Sequence, residues 1–468
     1  MRLNRALVAN IAFRLLGRGG SIIATVVMIA IMSRSLDSAT YGQIMFLTTL
    51  VTVFAQVADF GSATALSRLL VGYRVNSRRF WGNYLLVRIA IAIVAVVLAT
   101  GLLALIQFNA PLSWQLAAIL TIPIAGSKFF EPLYQIHDHP SWIGATYAIF
   151  GALLIGLSLA VAWLQWEPIY FLWASLLANL GYLLVCIRAS QRLVKPAWTP
   201  DRRIQVHILR LSLPIGIAGL LTTVISRAAM FFLERYTTPV EVGYYASALR
   251  ILDLCVAVAI MAIAPIVPLL ATASTNPDQL RKAFRTTLSW IVPIAYPIAV
   301  LAPLIAEPVV HIVFGPQQAG AVSAAAGMIV VGVLAVGNLT NSYLLLAVRK
   351  VNFAIWLTGS AAAASVILNM ALVPEHGLSA TVWIMIGIEA GMLVATTVLV
   401  YLNIRWRLSW SIVALSLLSG IGVPLLAYAN PLASGWTAAA MALGLHIAVV
   451  ALAGRRTADD NASNLARS

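Results

Sequence analysis

The chain has 468 residues, of which 61% are hydrophobic and only 10% charged, with a mean hydropathy of +0.93. So little charge cannot cover the surface of a soluble protein, and the apolar residues fall in runs of about 20, the length that crosses a hydrocarbon core. A net charge of +15 would suit a nucleic-acid binder, but the basic residues sit at the ends of apolar runs and not in a polar domain.

Fourteen spans are predicted, near residues 10–33, 44–66, 84–107, 113–133, 142–164, 168–189, 209–233, 243–270, 288–312, 321–347, 352–373, 378–402, 410–428 and 432–453. With the N-terminus inside, 26 of the 30 Lys and Arg fall on inside segments and adjoining helix ends. Arg34 and Arg235 lie in outside loops, and Arg227 and Arg250 within spans. This pattern predicts that both termini are cytoplasmic, and it gives the basic excess a role in orientation and in affinity for anionic headgroups. The first span carries arginines inside its apolar stretch and no small-residue cleavage site, so it does not read as a cleaved signal peptide. Cys186 and Cys255 fall within predicted spans and read as small packing residues.

The longest connection, residues 190–208, is basic, contains Pro196 and Pro200, and divides the first twelve spans into two sets of six. It is the expected hinge between residues 1–200 (helices 1–6) and 201–403 (helices 7–12), with residues 404–468 adding helices 13–14 and a short cytoplasmic tail. The halves repeat weakly. Residues 33–70 resemble 233–270 and pair Gly42 with Gly243, while 167–185 resemble 375–394 and pair Gly181 with Gly391. An offset of six spans makes the repeats parallel. The expected fold is an all-α polytopic membrane protein of about 14 transmembrane helices. Two six-helix lobes in parallel pseudo-twofold repeat would surround a central cavity, with two C-terminal helices added.

Polar residues at membrane depth are costly unless they face water, protein or substrate. Span 1 carries a stripe of Arg14, Arg18, Ser21 and Thr25; span 2 carries Thr49, Thr52, Gln56 and Asp59. In span 7, Ser212, Gly216, Gly219, Thr223 and Ser226/Arg227 form a line, and in span 8 Tyr244, Ser247 and Arg250 share a side, with Asp253 three residues on. Spacings of three and four put each set on one helix face. The polar faces gather in the first two helices of each half, as a shared water-filled cavity requires. Plainer readings stand beside this one: Arg14 and Arg18 as headgroup anchors, Arg250 with Asp253 as a structural ion pair, Arg227 as a snorkelling outer-end cation. Asp59, Asp253 and Glu389 are candidates for ion coupling, or else structural hydrogen-bonding groups. His137, Asp138 and His139 form a turn in which a metal site is a minor alternative. No phosphate loop, nucleophile elbow, metal-binding spacing or large aqueous loop is present in the sequence, so neither an enzyme nor a cofactor is expected.

The stretch "SRSLDSATYGQIMFLTTLVTVFAQVADFGSATALSR" resembles the early signature of Wzx-type polysaccharide flippases, with an arginine, a YG pair and a later DFG. "EVGYYASALRI", "IAEPVVHIVFGPQQAGA" and "NMALVPEHGLSATVWIM" resemble later stretches of that family, with Ser379 in place of a more usual glycine. The resemblance spans residues 1 to about 402. It implies membership of the multidrug/oligosaccharidyl-lipid/polysaccharide (MOP) exporter superfamily, with a cavity lined by helices 1, 2, 7 and 8. It further implies transport of undecaprenyl-diphosphate-linked oligosaccharides (O-antigen, capsule or exopolysaccharide precursors) across the bacterial inner membrane. Membrane lipids, a polysaccharide polymerase and a chain-length regulator would be its partners, with no nucleic acid involved. Arg14, Arg18, Arg227 and Arg250 would hold the diphosphate, since guanidinium groups suit phosphate oxygens. The remaining alternatives are a drug/cation antiporter of the same superfamily and a membrane enzyme or assembly partner of glycan synthesis.

Overall fold

The computed structural model describes residues 5–66, 78–125, 127–137, 140–263, 270, 272–273, 276–347 and 351–404. Predicted spans 13 and 14 lie outside these. Among the described residues every regular element is helical. This is the physical expectation, because lipid offers backbone groups no hydrogen-bond partner and a helix satisfies them internally. Among the described residues, eight helices are long and apolar enough to cross a membrane.

The helices are α1 (Arg5–Ser35), α2 (Ser38–Asp59), α3 (Arg78–Ile106), α4 (Leu112–Ala125), α5 (Glu131–Ile136), α6 (Pro140–Trp163) and α7 (Ile169–Leu193). They continue with α8 (Arg202–Tyr236), α9 (Pro239–Ile263), α10 (Pro277–Val300), α11 (Ala302–Phe314), α12 (Val322–Ala347) and α13 (Val351–Ile404). Twelve predicted spans are thereby placed, with four of them differing in form. Span 4 stops as α4 at Ala125 and resumes, after a short 3₁₀ turn, as α5, which has proline at its start. Span 9 begins earlier than predicted and is interrupted at Leu301 between α10 and α11. Spans 11 and 12 run together as α13, which turns sharply at Gly377 (φ 53°, ψ −133°), a conformation open to glycine.

Helix ends are set by local chemistry. Asp37 caps α2, its carboxylate accepting from Ala39 N (3.1 Å) and Thr40 N (3.0 Å). The helix ends where Phe60 takes the left-handed conformation (φ 42°) and its N–H bonds Gln56 O at 2.9 Å. Asp201 caps α8 by accepting from Arg203 N at 2.9 Å, and Asn276 caps α10 by accepting from Asp278 N at 2.9 Å.

The chain forms two compact units. The first comprises Met1–Ala246, Val313–Gln317 and Ala362–Leu378; the second comprises Ser247–Ile312, Gln318–Ala361 and Ser379–Ser468. In the first, α1 lies along α6, α2 packs on α3, α4 and α8, and α7 packs on α4 and α6. Lipid supplies no hydrophobic drive for helix association, so close approach depends on small residues and internal polar contacts. Gly151 admits Ala24 at the α1–α6 seam. An aromatic cluster of Phe80, Trp81, Tyr84, Phe129, Phe130 and Tyr134 fills one end of this unit, with Trp81 stacked on Tyr84 at 5.5 Å between ring centroids. Ile89, Ile93, Val97 and Leu105 of α3 are exposed, as a lipid-facing surface should be. In the second unit α10 packs on α12, around Leu280, Phe284, Leu344 and Leu345.

Within the connection of residues 190–208, residues 194–201 form a non-helical strap. Asn83, fully buried, holds it. Its amide Nδ2 donates to Thr199 O (2.9 Å) and Arg79 O (2.9 Å), and its Oδ1 accepts from Asp201 N (2.7 Å) and Gln205 Nε2 (3.0 Å). Ala197 N donates to Arg78 O at 2.8 Å.

Candidate functional site

In the first unit the polar faces of α2 and α8 pack on one another. Gly216 and Gly219 make this approach possible: a Cβ on Gly216 would stand 2.6 Å from Phe60 O, and one on Gly219 would stand 2.8 Å from the Gln56 amide nitrogen. Ser212, Gly216, Gly219, Thr223 and Arg227 share one side of α8 by helical spacing. Ser212 is fully buried, and its hydroxyl has no hydrogen-bond partner among the described residues. Thr223 Oγ1 donates back to Gly219 O at 2.9 Å, and Ser226 Oγ to Thr222 O and Thr223 O at 3.2 Å each. Arg227 is half-buried. On α2, Thr52 is exposed, with its hydroxyl donating to Thr48 O at 2.9 Å. Gln56 is half-buried against Gly219. On α1, Ser21 and Thr25 are half-buried, and Thr25 Oγ1 donates to Ser21 O at 2.9 Å. Arg14 and Arg18 fall on α1, but their side chains lie outside the described residues.

Asp59 meets a partner that sequence spacing does not reveal. Arg88 Nη1 lies 2.8 Å from Asp59 Oδ1 and also donates to Ala58 O (2.8 Å) and Ser62 Oγ (3.1 Å). Its guanidinium rests 4.6 Å from the Phe129 ring centroid, and Ser62 Oγ is within 3.2 Å of Tyr84 OH. The cation therefore sits on the carbonyl end of α2, where the helix dipole favours it. It braces the Phe60–Gly61 turn that touches Gly216.

In the second unit, Arg250 Nη1 pairs with Asp253 Oδ2 at 3.1 Å. Ser247 is fully buried, with its hydroxyl 3.5 Å from Gln318 Oε1. Glu389 of α13 accepts from the Asn338 amide of α12, which also donates to Glu389 O at 3.0 Å. Thr396 Oγ1 donates to Asn338 Oδ1 (3.3 Å), and Asn341 Nδ2 donates to Thr396 Oγ1 (3.1 Å) and Thr397 Oγ1 (3.0 Å). Sequence reading singled out Glu389 but not the two asparagines, because a lone Asn in an apolar run carries no spacing signal. Of the three-residue turn considered for a metal, His137 Nδ1 lies 3.0 Å from Leu133 O, and Asp138 and His139 lie outside the described residues. Cys186 and Cys255 are free thiols. Cys186 is packed in the aromatic cluster, and Cys255 lies against Gly332.

Solved structures share this arrangement of helical spans. The fold resembles the lipid II flippase MurJ in an inward closed conformation, with a TM-score of 0.73 at 13% identity, over 96% of this chain and 99% of that one. It also resembles an inward-facing multidrug resistance MATE family transporter of the MOP superfamily (TM-score 0.63, 17% identity, 86% of this chain and 95% of that one). A MOP-superfamily transporter from Pyrococcus furiosus whose binding pocket is described as of reverse polarity matches at a TM-score of 0.60 and 15% identity, over 86% of this chain and 95% of that one. No curated protein matches the chain significantly. A family profile described as polysaccharide biosynthesis protein covers residues 31–323. The chain therefore belongs to that polysaccharide biosynthesis family, and its fold is that of the MOP transporters.

Proposed function

We propose that the protein is a flippase for undecaprenyl-diphosphate-linked oligosaccharide repeat units, moving them from the cytoplasmic to the periplasmic leaflet of the bacterial inner membrane by alternating access. Residues 1–200 and 201–403 would be its two lobes, and both termini would be cytoplasmic. Membership of a polysaccharide biosynthesis family and a fold shared with a lipid II flippase support this reading. The observation that carries it is Arg227: a guanidinium deep in a 35-residue helix, on the same side as Gly216, Gly219 and Thr223, which faces the polar side of α2.

The substrate presents a diphosphate and a hydrophilic glycan that must cross hydrocarbon. Arginine binds phosphate oxygens through paired N–H donors and stays charged when desolvated. Arg18 and Arg14 would engage the diphosphate from inside, and Arg227 and Arg250 nearer the outside, with hydroxyl and amide groups of α1, α2 and α8 facing the glycan. The polyprenyl chain would stay in lipid. Outward movement of negative charge runs with an inside-negative potential, contributing about 2.3 kcal/mol per charge per 100 mV. Ion coupling through Glu389 is part of the proposal: Asp59 and Asp253 each pair with an arginine, whereas Glu389 meets only a neutral amide among the described residues.

The test is glycan export in cells carrying Arg227→Ala or Arg18→Ala with the protein present at normal levels. Loss of export, with partial recovery in Arg227→Lys, supports the anion-guiding role. Wild-type export in both alanine variants would refute it.

A further inference from the structure

The strap at 194–201 brings together cations that the sequence keeps apart. Arg78 and Arg79 open α3, Arg202 and Arg203 open α8, and Lys195 lies on the strap between. The Ala197–Arg78 hydrogen bond and the Asn83 contacts to Thr199 and Asp201 fasten the strap across the start of α3. All five cations are exposed, and among the described residues none forms an ion pair. The acidic residue among them, Asp201, is engaged in capping α8. Trp198, one residue beyond the Ala197 bond, is 57% exposed. Four arginines in the first turns of two helices oppose the helix dipoles, an arrangement that an anion at the same place would reverse. An exposed tryptophan beside Lys and Arg is the side-chain set of a membrane–water interface.

We propose that this patch is a docking surface for anionic phospholipid headgroups of the leaflet from which substrate is taken. The cations bind the phosphates and Trp198 seats in the headgroup layer, so that the pinned strap is anchored to the membrane. The assignment of the leaflet rests on the orientation proposed above; the lipid contact itself does not depend on transport.

The test uses the full chain purified in detergent, with native mass spectrometry reading retained lipid after addition of dioleoylphosphatidylglycerol or dioleoylphosphatidylcholine. Wild-type protein should retain the anionic lipid preferentially, and the R78Q/R79Q/R202Q/R203Q variant should lose that preference by about tenfold or more. A preference unchanged in that variant overturns the proposal. Should the variant fail to fold, wild-type protein decides: the preference must collapse between about 0.1 and 1 M salt, as the screening length falls from about 10 to 3 Å. Persistence at high salt overturns it. Displacement of phosphatidylglycerol by a lower concentration of farnesyl diphosphate also overturns it and assigns the patch to a substrate diphosphate. Labelling of a Lys195→Cys variant by an impermeant maleimide only from the periplasmic side removes the leaflet assignment, whatever the outcome for glycan export.

Discussion

Gly42 and Gly243, which the internal repeat matches to one another, pack face to face: a Cβ on Gly243 would stand 3.4 Å from Gly42 Cα and 2.7 Å from Ser38 O. A Cβ on Gly42 would collide with the Pro239 carbonyl oxygen. Contact between equivalent residues is what a local twofold axis passing between the starts of α2 and α9 produces.

Gly42→Ala is therefore expected to destabilise the protein by about 1–3 kcal/mol or more, because the obstacle is backbone and cannot rotate away. Gly156→Ala, where a Cβ meets nothing within 4 Å, should leave the melting temperature unchanged or slightly raised. Thermal denaturation followed by size-exclusion chromatography compares the two. Equal behaviour would contradict the close approach.

Arg88→Ala leaves Asp59 without its cation and the end of α2 without its cap, and should cost about 3–5 kcal/mol, the usual consequence of breaking a largely buried pair. Asp59→Ala/Arg88→Ala should recover part of that loss. A double-mutant cycle on thermal stability measures the coupling, and additive losses would show that the pair does not interact.

Much of this was legible in the sequence. Twelve spans follow from apolar length, and the contact of α2 with α8 at Gly216 and Gly219 lies on the α8 line that spacings of three and four pick out. Arg88 did not, because α3 begins at Arg78, earlier than the predicted 84, so a residue inside the helix reads as a basic helix end. Asn83 likewise reads as a loop residue although it organises the strap. The breaks at Ala125 and Leu301 escape an apolar-length criterion because the run continues through them; the prolines nearby (Pro123, Pro132, Pro297, Pro303) are the local signal. The Glu389–Asn338 contact joins residues on different spans and leaves no periodic trace.

Asn83→Ala removes both the donors and the acceptor that hold the strap. The expected result is faster proteolysis at residues 194–201 and a loss of about 1–3 kcal/mol, since buried backbone partners are left unsatisfied. Digestion of the variant at the wild-type rate would show that the strap is held by something else.

Asp37 carries a pH dependence of known sign. The Thr40 backbone N–H, with further hydrogen bonds at the start of α2, holds its carboxyl below the usual value of 3.8, and burial opposes this only in part. A depressed folded value means that the cap stabilises the protein above the unfolded pKa and loses this contribution as the pH falls through the folded one. Asp37→Asn should keep the cap and lose that acid-limb dependence, while Asp37→Ala should lose about 0.5–2 kcal/mol near neutral pH. Melting temperatures between about pH 3 and 7 test both; an acid limb unchanged in the asparagine variant would assign it to another group.

The most direct measurement of the central claim is the sidedness of lipid-linked oligosaccharides in cells lacking the protein. Complete repeat units should accumulate on the cytoplasmic face of the inner membrane, with the surface glycan lost, and the wild-type chain should restore both. Absent or incomplete units would contradict a flippase and point to a role in synthesis. Normal glycan together with sensitivity to cationic drugs would contradict it in favour of an antiporter.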